Sequence, residues 1–150
     1  MKEHLFEDEM VLPVPTDELF LFFADARNLE SITPPWLSFR ILPPVPEAIR
    51  EGTLIDYRLR IHGIPIRWRT AITAWEPPNR FVDEQIRGPY RRWVHEHILE
   101  SVPGGTRCRD RVRYAVLGGA LVNALLVRRD VERIFAFRKR ALLERFGPAR

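Results

Sequence analysis

Side chains alternate between apolar and polar over most of residues 53–117, and this period of two most constrains the fold. The clearest case is "TRCRDRVRYAVL" at 106–117, where every second residue from Arg107 to Arg113 is an arginine. Successive side chains of a β-strand point to opposite faces of a sheet. The same alternation occurs at 53–62, 64–75, 80–88 and 88–100, and a further short strand is predicted at 37–42. Glycine and proline stand at the reversals, which indicates a run of antiparallel hairpins.

Before and after these strands, the spacing of the apolar residues is no longer two. Residues 3–12 predict a first strand, and "PTDELFLFFAD" after it predicts a short helix with Thr16 as N-cap. A second short helix follows and ends at Pro34 and Pro35. From Gly119 to Phe146 the pattern is helical again. Its predicted apolar positions are Leu121, Leu125, Val131, Ile134, Phe135, Leu142 and Phe146.

The order strand, two short helices, about six strands and a long helix predicts an α+β fold. We expect a curved antiparallel sheet of six to seven strands around the C-terminal helix. The length of 150 residues fits one domain over residues 1–150. A gap between a curved sheet and a long helix is a natural place for a small-molecule site.

Polar residues are predicted on the inward face of the sheet. Unpaired charges are almost never buried, so the arginine-rich faces point outward. Asp110 then points inward together with Cys108, Val112 and Tyr114. The turn "GPYR" closes a hairpin in which Asp83 lies across from His95 or His97, and opposed residues share a face. The inward polar set is Asp83, Gln85, His95, His97 and Asp110.

Three interpretations of this polar set stay open. Histidines beside carboxylates can transfer protons, so Asp83, His95, His97 and Asp110 are the catalytic candidates if the protein is an enzyme. The same residues can form a buried network that fixes the register of the hairpin. A metal ion on His95 and His97, with Asp83 or Asp110 completing the site, is the third interpretation. Two histidines two apart are common by chance, and no third ligand lies at a characteristic spacing, so we predict no metal and no cofactor.

Aromatic residues supply most of the predicted lining of the gap. Concave apolar sites with a few fixed polar groups are the usual form of small-molecule sites. The alternative is that the same residues form an ordinary packed core. The predicted cavity residues are Trp36, Tyr57, Trp68, Phe81, Gln85, Trp93, His95, His97, Tyr114 and Phe135.

Charge and cysteine content narrow the functional class. The net charge is +4, and the arginines are spread over the chain without a basic run. We therefore favour solvated arginines paired with Asp56, Glu84 or Glu96 over a nucleic-acid-binding stripe. Cys108 is the only cysteine, so no internal disulfide forms. The acidic start lacks a signal-peptide core, and the longest apolar run, 115–127, is too short to span a membrane. We expect a cytoplasmic protein.

Several segments resemble one bacterial family. These are "NLESITPPWLSFRI", "DEQIRGPYRRWVHEHILE", "DRVRY" and "LVRRDVERIFAFRKRAL". They are similar to ligand-binding SRPBCC proteins of the START/Bet v 1-like superfamily, which includes polyketide cyclases, dehydratases and lipid-transfer domains. The resemblance implies the helix-grip fold with a deep apolar cavity. Family members usually carry proline after the position of Tyr114, whereas this chain has "AVLGGALVN" there.

Three functional hypotheses follow. The first is binding of a small hydrophobic or amphipathic molecule by a carrier, sensor or accessory factor. The second is a cyclase or dehydratase that uses the histidine–aspartate group. The third and weakest is a module that binds a partner through its basic face. The sequence leaves the ligand, any reaction and the oligomeric state open.

Overall fold

The computed structural model describes residues 2–147, in which a seven-stranded antiparallel sheet packs around a long C-terminal helix. The strands are β1 (His4–Leu12), β2 (Arg40–Ile41), β3 (Leu54–Ile61), β4 (Ile64–Glu76), β5 (Arg80–Arg87), β6 (Arg92–Val102) and β7 (Gly105–Ala115). The helices are α1 (Thr16–Phe23), α2 (Asn28–Ser31), a 3-10 turn (Pro35–Leu37), α3 (Gly119–Val122), a π-helical turn (Asn123–Val127) and α4 (Arg128–Phe146). The last three form the C-terminal helix.

The strand order is β1-β7-β6-β5-β4-β3-β2. Consecutive strands from β2 to β7 pair as hairpins, while β1 crosses to the far side and pairs with β7. The ladder between β4 and β5 is interrupted near Thr70 and Thr73, and such irregularities bend a sheet. The predicted α+β helix-grip fold is confirmed.

Two local predictions were wrong. Pro15, not Thr16, occupies the N-cap of α1, and the Thr16 hydroxyl lies 3.0 Å from that of Thr106 on β7 instead. The strand predicted at 37–42 is shorter in the structure and covers only Arg40–Ile41. Its first half is lost because a 3-10 turn precedes it and Ser38 has a left-handed backbone with φ of 48°.

The start of the C-terminal helix also differs from the prediction. Leu121 and Leu125 were expected on its buried face, but they are 69% and 68% exposed. The first turns contact the sheet side through Val122, Asn123 and Val127, and Leu121 and Leu125 take no part in these contacts. The buried stripe therefore begins at Val131, which is fully buried.

The outward arginines of β7 form ion pairs, although not with the predicted partners. Arg109 and Arg111 lie 3.4 Å and 3.5 Å from Glu9 and Glu7 on the neighbouring β1. Arg107 pairs with Glu100 at 3.4 Å. These carboxylates lie on the strands flanking β7, and adjacent positions on neighbouring strands are within reach of long side chains.

Besides a smaller cluster around Ile55, Tyr57 and Leu59 on β3, the core has two main apolar clusters along the C-terminal helix. One surrounds Phe20, Phe22 and Leu142 beneath α1. The other surrounds Trp93, Tyr114 and Phe135 near the start of α4. The buried histidines lie between them, since His97 stacks on Phe81 of the first cluster and His95 contacts Phe135 of the second.

Candidate functional site

Three neighbouring strands bring the predicted polar residues together. Asp83 on β5 lies directly across from His95 on β6, and His97 on β6 lies across from Asp110 on β7. All four side chains share the inward face because they alternate with outward residues. The predicted pairing of Asp83 with a histidine on β6 is confirmed.

Each histidine makes a short hydrogen bond to one carboxylate. His97 Nε2 lies 2.6 Å from Asp83 Oδ2, and His95 Nε2 lies 2.8 Å from Asp110 Oδ1. The second nitrogen of each ring lies 3.6 Å from the other carboxylate. The two rings stack with centroids 3.6 Å apart. Carboxylates only accept, so both Nε2 atoms donate.

Arg138 on α4 completes this cluster, and the sequence analysis missed it. Its Nη2 atom lies 3.4 Å from His97 Nδ1 and 3.6 Å from Asp110 Oδ1. The residue is only 8% exposed, and its Nε atom is buried without a hydrogen-bond partner among the described residues. Its guanidinium carbon lies 5.1 Å from the centre of the Phe23 ring.

A sequence signal for Arg138 did exist. It lies three residues after Phe135 and four before Leu142, so it shares the buried stripe of the helix. A charged residue on such a stripe indicates a buried ionic site. The signal was hidden because five arginines fall between residues 128 and 140.

Burial and charge set the protonation of the cluster. Burial, together with the neighbouring His95, lowers the pKa of His97 to about 4, although Asp83 opposes this shift. His97 is therefore neutral at pH 7. Burial alone would raise the pKa of Asp110, but Arg138 and the hydrogen bond from His95 hold it well below the usual range. The pKa of Asp83 is likewise lowered against its burial by His95 and His97.

A mainly apolar cavity lies on one side of the cluster, between the sheet, α4, α1 and the segment around α2. The polar residues of its wall are Asp25, Asn28, Tyr57, Thr70, Asp83, His97 and Arg138. The apolar wall consists of Phe22, Phe23, Ala26, Leu29, Ile32, Ile49, Ile55, Ile72 and Phe81. The cavity volume is about 60 Å³. That is room for a few water molecules or a short chemical group.

The structure places three of the ten predicted cavity residues on this wall, namely Tyr57, Phe81 and His97. His95 lies behind His97 and bonds to Asp110. The residues Trp68, Trp93, Tyr114 and Phe135 pack in the second apolar cluster, where Tyr90 fills the space between them.

Gln85 and Trp36 lie away from the cavity. The Gln85 amide donates to the carbonyl of Tyr90 at 2.8 Å and accepts from its backbone N–H at 3.1 Å, so it braces the turn between β5 and β6. Trp36 is 50% exposed and covers Phe137 and Arg133 of α4 at the surface.

The ligand-type atoms of Asp83, His95 and His97 lie within 4.8 Å of one another, which is close enough for one metal ion. However, the guanidinium of Arg138 holds a positive charge 3.4 Å from His97 Nδ1. Both short hydrogen bonds already use the Nε2 atoms and the carboxylates. These residues therefore fit a cation poorly.

Cys108 is buried next to the cluster. Burial, aided by the negative charge of Asp110, raises the pKa of its thiol to about 12. The thiol is protonated at pH 7 and does not provide a nucleophile.

The fold and the lined gap define a class of protein, the helix-grip proteins. The sequence model of the family "Polyketide cyclase / dehydrase and lipid transport" matches residues 12–138. The chain belongs to this family, and the predicted resemblance to SRPBCC proteins is confirmed. Sequence comparison matches the chain to none of the curated proteins.

Solved structures show the same fold. Protein CV1439 from Chromobacterium violaceum superposes with a TM-score of 0.75 at 14% identity, covering 97% of this chain and 99% of that one. Ara h 8.0201 superposes with a TM-score of 0.72 at 20% identity, covering 94% of this chain and 95% of that one. The di-domain ARO/CYC StfQ from the steffimycin biosynthetic pathway superposes with a TM-score of 0.73 at 15% identity, covering 97% of this chain and 51% of StfQ.

Over the described part of the chain, no helix combines the length and apolar character needed to cross a membrane.

Proposed function

We propose that this protein binds a small amphipathic molecule in the cavity between the sheet and the C-terminal helix, with the polar end of the molecule at Arg138. One observation carries the proposal. Arg138 is a buried guanidinium at the wall of an apolar cavity, and its Nε atom has no partner among residues 2–147.

A buried arginine normally uses most of its five donors. Here Arg138 makes one long hydrogen bond to His97 and one ion pair with Asp110 at 3.6 Å. An acceptor oxygen on a ligand would provide a partner for the free donors. A carboxylate, an enolate or a phenolate oxygen has this chemistry. The surrounding phenylalanine and isoleucine side chains suit the apolar remainder of such a molecule.

The size of the cavity limits the size of the ligand that it can accept. About 60 Å³ accepts only a short group while the cavity is closed. A larger molecule needs the wall formed by α1 and residues 24–32 to move outward. Phe23 covers Arg138 from that wall, so its side chain moves first.

Two probes with the same ring system test the role of Arg138. Anilinonaphthalene sulfonate carries an anionic group, and N-phenylnaphthylamine lacks it. We expect Arg138→Gln to lower the affinity for the sulfonate probe by about tenfold or more, because its anionic group contacts the guanidinium. The affinity for the neutral probe should change little. Fluorescence titration measures both affinities. Arg129→Gln is the matched control, because Arg129 is an exposed residue of the same helix.

Equal effects of Arg138→Gln on both probes, or an equal effect of Arg129→Gln, would contradict the proposal. Circular dichroism confirms that each variant is folded. Native mass spectrometry of freshly purified protein provides a further check. An organic adduct of a few hundred daltons, lost in Arg138→Gln, supports the proposal and identifies the ligand class.

A second candidate function is a cyclase- or dehydratase-type reaction in the same cavity. His97 is neutral at pH 7, is held by Asp83 at 2.6 Å and lies on the cavity wall. As a base it would remove a proton from the carbon beside a carbonyl, and Arg138 would stabilise the enolate oxygen. The enolate carbon would then attack a second carbonyl to close a ring, and the protonated His97 would return its proton to the alkoxide oxygen that forms. Loss of water from this product would give the aromatic ring.

The two functions differ in their response to His97→Gln. If the protein is an enzyme, this change abolishes turnover of a linear poly-β-ketone thioester, measured by the absorbance of the aromatic product, and leaves probe binding intact. If the protein is a binding protein, wild type shows no turnover and His97→Gln shifts probe affinity modestly.

A further inference from the structure

Exposed apolar side chains gather at one end of the molecule. Four of them, Leu117, Leu121, Leu125 and Leu126, are 58–69% exposed and lie at the start of the C-terminal helix. Large exposed apolar patches on otherwise polar surfaces mark interaction sites. We call this set the leucine patch.

The sheet adds to the leucine patch because several strands end beside it. The turn between β3 and β4, the turn between β5 and β6 and the end of β7 all lie at this end of the antiparallel sheet. Ile64 and Ile86, on the strands next to these turns, are 62% and 58% exposed. The other exposed large apolar side chains of the described chain are Leu5, Leu21, Trp36, Val45 and Leu54, and of these only Leu21, at 70%, is as exposed as the leucine patch.

The same end is positively charged. Exposed arginines lie at the same end of the sheet and helix, namely Arg87 at the end of β5, Arg91 in the turn before β6 and Arg129 on α4. No carboxylate of residues 2–147 lies within 4 Å of these three. The nearby acids already have partners, since Glu3 pairs with Arg92, Asp130 with His62 and Glu132 with Arg128.

We propose that this end of the molecule docks on the surface of an anionic lipid bilayer. Leucine side chains beside unpaired arginines suit the boundary between acyl chains and headgroups, where apolar groups insert and arginines meet lipid phosphates. A protein partner would need a matching acidic groove, whereas an anionic bilayer supplies both features on any area. This surface is separate from the cavity at Arg138, so the proposal does not depend on the proposed ligand.

Vesicle sedimentation tests the docking surface. The full chain is mixed with vesicles of phosphatidylcholine alone, or with vesicles containing about one third phosphatidylglycerol. We expect binding to the anionic vesicles only, and weaker binding as salt is raised. The double variant Leu121→Asp/Leu125→Asp should reduce binding by about tenfold or more, because it removes apolar contacts and adds negative charge.

Leu21→Asp is the matched control, because Leu21 is 70% exposed but lies on α1, away from the leucine patch. It should bind the anionic vesicles like wild type. Failure of wild type to sediment with anionic vesicles would overturn the proposal, as would equal losses in the double variant and in Leu21→Asp. Self-association in analytical ultracentrifugation that the double variant removes, without vesicle binding, would also overturn it and identify a second copy of the chain as the occupant.

Discussion

His97 couples the stability of the folded protein to pH. Its pKa is about 4 in the folded state, mainly because burial disfavours the charged ring, and about 6.5 in an unfolded chain. The unfolded state therefore binds a proton more readily below pH 6.5. The contribution of neutral His97 to stability is complete above that pH and is lost as the pH falls toward 4.

We expect the free energy of unfolding to fall between pH 7 and pH 5, with His97 supplying on the order of 1–2 kcal/mol of the decrease. The variant His97→Gln should flatten this part of the pH profile, measured by urea denaturation. His62→Gln is a suitable control because His62 is an exposed residue. An unchanged profile in His97→Gln would show that another group causes the pH dependence.

Asp83 and Asp110 make the stability of the folded protein depend on pH in a lower range, because their pKa values are lowered in the folded state. Both carboxylates contribute stability above the usual carboxylate range, and that contribution is lost as the pH falls through their lowered folded-state pKa values. Each carboxylate accepts a hydrogen bond from one histidine. Protonation of the carboxylates at low pH therefore weakens the contacts of the whole cluster.

At the scale of elements, the close approach of the end of β1 to the start of β7 depends on Gly105. A Cβ atom there would lie 1.9 Å from the carbonyl oxygen of Leu12, and the backbone φ is 153°. No side chain fits without displacing the end of β1. Gly63, in the turn between β3 and β4, has φ of 79° but open space around it.

Gly105→Ala should therefore destabilise the protein by more than about 3 kcal/mol, because backbone atoms must move apart. Gly63→Ala should cost only about 1–2 kcal/mol, the strain of a left-handed alanine. Urea denaturation of both variants measures the difference. Similar losses in the two variants would show that φ, and not the contact with Leu12, decides the result.

Elements also decide which aromatic residues are available to a ligand. The predicted inward orientation of Trp68, Trp93 and Tyr114 agrees with the structure, yet these side chains pack on one another. Tyr90 from the turn between β5 and β6 fills the space between them, and Gln85 holds that turn in place. Alternation along one strand predicts the face of a residue, but not which neighbour covers it.

At the scale of the whole molecule, we propose that residues 1–150 fold as one domain. The sheet is continuous from β1 to β2, and the first strand pairs with the last, so neither half of the chain completes the sheet alone. Thermal unfolding should show one transition whose calorimetric and van't Hoff enthalpies agree. Two resolved transitions would contradict this.

The sequence by itself determined the class of fold, the strand faces and most of the polar cluster. These follow from local periods of two and 3.6 residues and from hairpin pairing, which depend on neighbours along the chain. Asp83, His95, His97 and Asp110 could thus be placed together because they lie on consecutive strands.

Only the tertiary structure decided which element covers this cluster. Arg138 lies 28 residues beyond Asp110 in the sequence, and it reaches the strands because the C-terminal helix crosses the sheet at that point. The same packing leaves Leu121 and Leu125 beyond the sheet and exposed. Where a helix lies along a sheet depends on contacts between distant segments, and the period of the helix alone does not contain that information.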